Sequence, residues 1–200
     1  SFLTEREPQP DFITLDETVG LHGPYFERFA SLFGTGGLVA VHADGRDRQS
    51  IWDALQRKEV YGTSGDRILL WFDLLSHDSG SRVPMGSSVE GTKVPTFEVN
   101  AMGAFEQKPG CTSDSLRALS DPRLQRLCGG ECYHPGDERK RIERIEVVRI
   151  RPQVAAGEDV EPLIEDPWKV LPCPADAQGC TVRFQDPEFP GSRRDTLYYV

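Results

Sequence analysis

Apolar residues come in two rhythms along this chain, and the change between them falls near Arg67. Upstream, Gly36-Gly37 releases a continuous apolar run, Leu38 to Val41, of the kind expected in a strand covered on both faces. The polar stretch from His42 to Asp47 separates this run from Ile51, Ala54, Leu55 and Lys58, which recur at helical spacing. Asp47 is placed to cap that helix and the Lys58 stem to cover apolar surface, so about three helical turns are expected over Asp47 to Lys58. Val60-Tyr61 returns to strand, Gly62-Thr63-Ser64-Gly65-Asp66 turns, and Ile68 to Leu75 predicts a long apolar strand. Farther upstream, Pro24 at a helix start with Phe26, Phe29, Ala30 and Phe33, ended by Gly34, predicts a first helix. Residues 1–23 are Pro-rich, acidic and weakly periodic, and are expected to be an irregular leading segment.

From Arg67 onward the rhythm is that of strands between long irregular loops. Phe97, Val99 and Ala101 alternate with Thr96, Glu98 and Asn100, as in a half-buried strand. Ile142 to Ile150, Thr181 to Phe184 and Thr196 to Val200 predict three more, and Ser113 to Leu119 a short helix. No internal repeat is present. The expected organisation is a leading segment (1–23), an α/β slice (24–66) and a β-rich module (67–200), the last an antiparallel sheet or sandwich packed on the α/β part. Trp52 and Trp71 sit inside apolar patterns and are expected in the core, while Trp168 is expected to pin the loop after Asp166-Pro167.

The segment Ile51-Trp52-Asp53-Ala54-Leu55, Arg57-Lys58-Glu59-Val60-Tyr61 and Thr63-Ser64-Gly65, with Arg48 before it and Arg67 after, resembles a bacterial family, domain of unknown function 3604. His42, Asp44, Gly45 and Arg46 depart from the Trp and acid or Asn residues of that family's loop. Val83-Pro84-Met85-Gly86, Ile142-Glu143-Arg144-Ile145 and Leu197-Tyr198-Tyr199-Val200 also look like this family, so the resemblance runs from about Gly34 onward. It implies a relation to the PHP metal-dependent phosphoesterases. The fold then expected is α/β, with the closing βα unit of a PHP-like (β/α) barrel packed against a β-rich C-terminal part. The activity implied is divalent-metal-dependent hydrolysis of a phosphate ester. The family's metal ligands, an early His-x-His pair and a late Asp-x-His segment, have no counterpart here. His22, His42, His77 and His134 stand singly, so no metal site or cofactor is expected in this chain and the ligands are expected upstream. Ser1 in place of Met, no signal-peptide core, and strand-like Leu197 to Val200 ending without a turn lead to the expectation of a piece truncated at both ends. Its first partner would be the rest of its own polypeptide.

Composition narrows the reading further. Two hundred residues, 38% of them hydrophobic, suffice for a real core. A net charge of −9 offers no basic stripe for nucleic acid, and Arg139-Lys140-Arg141 with Arg144 is interrupted by Glu138 and Glu143. No segment approaches the roughly 20 apolar residues needed to span a bilayer. Cys111, Cys128, Cys132, Cys173 and Cys180 fall in Gly-, Pro- and Asp-rich loops, where disulfides in a periplasmic or extracellular compartment are expected. Cys173 and Cys180 would close a short loop, and Cys111 would pair with Cys128 or Cys132. The odd count calls for a sixth cysteine, which the family resemblance puts beyond Val200. A zinc reading of Cys128-x3-Cys132-x-His134 lacks a second ligand pair.

Candidate chemistry sits in the two loops that would follow the carboxyl ends of strands, His42 to Asp47 and Tyr61 to Arg67. His42, Asp44 and Arg46 could face the mouth of a completed barrel, Arg46 or Arg48 could hold a phosphate oxygen pair, and Thr63 and Ser64 could donate hydroxyl hydrogen bonds to it. Against this stand plainer roles: Asp44 and Asp47 as caps, Arg48 paired with Asp53 or Glu59, Gly62, Gly65 and Asp66 as turn residues. No nucleophile and base pair is recognisable. Asp44-Gly45-Arg46-Asp47 lacks the terminal Glu of a calcium loop, and Gly34-Thr35-Gly36-Gly37 precedes a strand and lacks the Lys of a phosphate loop. The rival to an esterase fragment is a non-catalytic scaffold or binding module working with other chains.

Overall fold

The computed structural model describes residues 37–75, 81–175, 178–192 and 194–200. The leading segment, the helix expected from Pro24 to Gly34, His22 and His77 lie outside them. The described residues fall into two compact units, 105–138 and 37–104 with 139–200.

The larger unit is built on two antiparallel sheets. Strands β3 (Leu69–Leu75), β4 (Val83–Pro84), β5 (Thr96–Met102) and β10 (Gly179–Gln185) form one, in the order β10-β5-β3-β4. Strands β8 (Arg144–Ile150), β9 (Ile164–Pro172) and β11 (Leu197–Tyr199) form the other, in the order β11-β8-β9. Period-2 alternation explains which faces meet. Across the first sheet the rows Phe184–Phe97–Leu74, Val182–Val99–Phe72 and Cys180–Ala101–Leu70 are in register. They form one core cluster with Ile145, Val147 and Trp168 of the second sheet. Phe97 stacks on Phe184 at 5.0 Å between ring centroids. The opposite face of the sheet carries the intervening row Arg183–Glu98–Asp73 and is ionic: Glu98 accepts from Arg183 at 2.6 Å and Arg82 at 2.7 Å, and Arg82 also reaches Asp73 at 2.7 Å. The Cys173–Cys180 disulfide joins the end of β9 to β10 inside the core.

Strand β1 (Leu38–Val41), helix α1 (Arg48–Gln56) and strand β2 (Val60–Thr63) correct the expected barrel slice. In a βαβ unit the second strand runs parallel to the first after a crossover. Here Leu38 pairs with Thr63 and Val41 with Val60, so the strands are antiparallel. The physical reason is the shortness of α1 and the reversal at Lys58, whose φ of +59° turns the chain back at once. The run is not covered on both faces, so the expected double burial of Leu38 to Val41 fails: Leu38 is 47% and Val39 67% exposed. Trp52 and Trp71 are likewise exposed, and Ala54 alone is buried in α1. Among the described residues there are three short helices and no closed barrel, so the chain is β-rich rather than part of a PHP-like α/β barrel.

The smaller unit carries β6 (Phe105–Gln107), helices α2 (Ser113–Ala118) and α3 (Asp121–Cys128), and all but the last residue of β7 (Pro135–Arg139), which pairs with β6. Helix α3 begins with Pro122 in its first turn and ends on Gly129 in the left-handed conformation, φ +62°. Cys111 and Cys132 are joined; Cys128 is a free thiol.

Candidate functional site

The loop residues singled out for anion binding do not converge. Asp47 accepts from the backbone N–H groups of Gln49 and Ser50 and caps α1. Its carboxyl is held low, first by the Ser50 hydroxyl and then by the Ser50 amide. Asp44 and Arg46 share a hollow with Ala43, Gly45 and Ile51. Arg48, exposed, opens α1 and does not engage Glu59, which Arg57 holds through Nε at 2.9 Å. Thr63 and Ser64 lie at the other end of the ribbon, because Thr63 is opposite Leu38 whereas the His42 loop continues from Val41. Thr63 Oγ1 is buried with no hydrogen-bond partner among the described residues. His42 turns inward: its Nε2 donates to the Leu70 carbonyl at 2.9 Å, and its ring stands 5.5 Å from Tyr61 and 5.8 Å from Trp71. The Tyr61 hydroxyl donates to Ile68 O at 2.9 Å. Ile68 and Leu70 are two apart and so present carbonyls to one side. His42 and Tyr61 thus satisfy carbonyls at the start of β3 that the two-residue strand β4 is too short to reach.

What those contacts help to frame is a cavity of about 640 Å³ in the larger unit. Its walls come from Tyr61 of β2, Phe72 and Leu74 of β3, Val83, Met85 and Val89 of the segment after it, and Tyr198 and Val200 at the C-terminal strand; Lys58, Asp73, Glu90 and Lys93 add charge. The segment is seated by Gly86, whose φ is +85° and whose missing side chain leaves room for the carbonyls of Arg57 and Lys58. A Cβ there would collide with both oxygens.

Behind the opposite wall, Tyr198 is fixed by a buried ionic cluster. Arg149, 2% exposed, lies directly across the β8–β11 ladder from Tyr198. Its Nε and Nη2 donate to Glu165 at 2.6 and 2.9 Å, its Nη1 to both oxygens of Asp186 at 3.0 and 2.9 Å, and its Nη2 also to Glu188 at 2.9 Å. The guanidinium carbon is 4.3 Å from the centre of the Trp168 ring, which belongs to β9 and the core rather than pinning a loop. The Tyr198 hydroxyl donates to Asp186 at 2.6 Å. Burial works against the Asp186 carboxylate, yet Tyr198 and Arg149 outweigh it and hold its pKa below the usual carboxylate range. Burial, then Asp186, pushes the Tyr198 phenol up, so it stays a neutral donor. Sequence reading marked Val83 to Gly86 and the strand of Tyr198 but not the cavity. The isolated Val89 and Val94 in an otherwise Gly-, Ser- and Thr-rich stretch are the signal it could have used.

The family model described as "Protein of unknown function (DUF3604)" matches residues 8–107. The chain belongs to the DUF3604 family. In this DUF3604 chain the match covers α1, β3, Gly86 and Val89, that is, one side of the cavity, and stops short of Ile142 to Ile145 and the strand of Tyr198. No curated protein and no solved structure matches the chain.

Proposed function

We propose that this DUF3604 chain is a non-catalytic binding module that takes a small, predominantly apolar molecule into the cavity beside β11. The observation that carries the reading is the cavity itself: about 640 Å³, walled by aromatic and aliphatic side chains with a few charged groups. That lies within the roughly 300–1,000 Å³ of small-molecule sites. Hydrolysis of a phosphate ester draws no support from the loops, whose candidate residues are dispersed over both ends of the ribbon. The exposed apolar side chains of Leu38, Val39, Ile51, Trp52 and Leu55 support a module that works against other protein surface. Two disulfides support an oxidising compartment. No described helix is long and apolar enough to cross a membrane.

The test is a fluorescence titration with the apolar probe 1-N-phenylnaphthylamine. Saturable binding is expected in the native chain, weakened about ten-fold or more by Val89→Trp, a change worth about 1.4 kcal/mol, and unaltered by Arg46→Ala or Arg48→Ala. A circular dichroism melt of Val89→Trp that matches the parent shows that the fold is kept. Absence of saturable binding, or equal binding by a folded Val89→Trp, overturns the reading.

A further inference from the structure

The smaller unit brings three sulfur atoms together. Cys111, Cys128 and Cys132 present their Sγ atoms within 4.8 Å of one another. Two are bonded, Cys111 to Cys132, and the free Cys128 Sγ stands 3.5 Å from Cys132 Sγ, the contact distance of two sulfur atoms. All three residues are partly exposed. Cys128 is the last residue of α3, where its thiol donates to the Leu124 carbonyl at 3.2 Å. Between Cys128 and Cys132 lie Gly129 and Gly130, both at positive φ, +62° and +80°, so the connection between the two sulfurs is a tight left-handed turn.

We propose that these three cysteines form a thiol–disulfide exchange site in which Cys132 is the shared sulfur and Cys128 and Cys111 alternate as its partner. The Cys128 thiol gives its proton to solvent, its sulfur attacks Cys132 Sγ, a Cys128–Cys132 bond forms and the Cys132–Cys111 bond breaks. Cys111 leaves as a thiolate and takes a proton from solvent. One disulfide and one thiol stand on each side, so no oxidant or reductant is consumed. The consequence is that the reactive thiol of the unit moves from the end of α3 to the loop ahead of α2, where it becomes the site at which a low-molecular-weight disulfide would be captured as a mixed disulfide, its other half leaving as a thiol. The odd cysteine thereby has a use within the unit itself. This proposal is independent of the cavity, which belongs to the other unit.

The test uses the full chain, unreduced. Native protein is held at pH 8 with a slow alkylating reagent, iodoacetamide, then quenched in acid, digested with pepsin at low pH and mapped by mass spectrometry. The expected result is label on both Cys128 and Cys111, with Cys111–Cys132 and Cys128–Cys132 peptides both present and Cys173–Cys180 unlabelled as the internal control. Label confined to Cys128 after prolonged reaction overturns the proposal. A second readout is Cys111→Ser incubated with glutathione disulfide as oxidant. Closure of a Cys128–Cys132 bond is expected, whereas glutathione adducts on both cysteines with no bond between them overturn it.

Discussion

Arg149 shows how a charged residue can be the centre of a β-sheet core. Its guanidinium makes five hydrogen bonds to three carboxylates from β9 and from the turn that follows β10, and its flat face is covered by Trp168. Removing one partner leaves a buried charge short of its counterion, which is costly. Asp186→Ala is therefore expected to lower stability by about 3–5 kcal/mol in denaturant unfolding; a loss under about 1 kcal/mol would contradict the cluster's structural role. Tyr198→Phe deletes one hydrogen bond to a charged group, about 1.5–3 kcal/mol, and frees the ring that walls the cavity. At Gly86 the constraint is steric rather than electrostatic. Gly86→Ala must push the chain off the carbonyls of Arg57 and Lys58 and hold a left-handed φ, so a loss of about 2 kcal/mol or more is expected, together with weaker probe binding. Probe affinity and unfolding midpoint measured on the same sample check both halves.

At the level of elements, the Cys173–Cys180 bridge closes a short loop between two strands of different sheets. The double variant Cys173→Ala/Cys180→Ala is expected to lose about 2–5 kcal/mol, read from urea unfolding, and an unchanged midpoint would show that the core alone sets the geometry there. This bridge was legible in the sequence, as were α1 with its Asp47 cap and β3 and β5, because each is specified by neighbours along the chain. The direction of β2 was not. Apolar pattern gives the period of a strand but not whether it returns parallel or antiparallel, and here that was decided by the reversal at Lys58. Strand β9 was missed because Asp166 and Pro167 interrupt its apolar run, and α3 because only Leu124 of its residues is buried. For α3 the punctuation was present in Ser120, Pro122 and Gly129. The site residues proposed from the loops were chosen for a barrel mouth, and with an antiparallel ribbon they point to opposite ends.

The whole molecule carries a net charge of −9, and several of its carboxylates are held in ion pairs. Arg194 brings Glu158 down to about 2; Arg151 and then Arg149 lower Glu188; Arg183 and then Arg82 lower Glu98; and Asp186 is lowered against its burial by Tyr198 and Arg149. Each binds fewer protons folded than unfolded, so its contribution is complete above the unfolded carboxylate value near pH 4 and is lost as pH falls through the folded value. The melting temperature is expected to be flat from about pH 7 to 5 and to fall steeply below about pH 4, as scanning calorimetry would read. A fall that starts near pH 6 would implicate histidine instead. Whether the cavity binds is read by methyl NMR on the full chain during titration with 1-N-phenylnaphthylamine. Progressive, saturable shifts are expected at Leu74, Val83, Met85, Val89 and Val200, with Ile145 and Val147 of the core unmoved. Shifts confined to Leu38, Val39, Ile51 and Leu55, or no saturable shift at all, would contradict it.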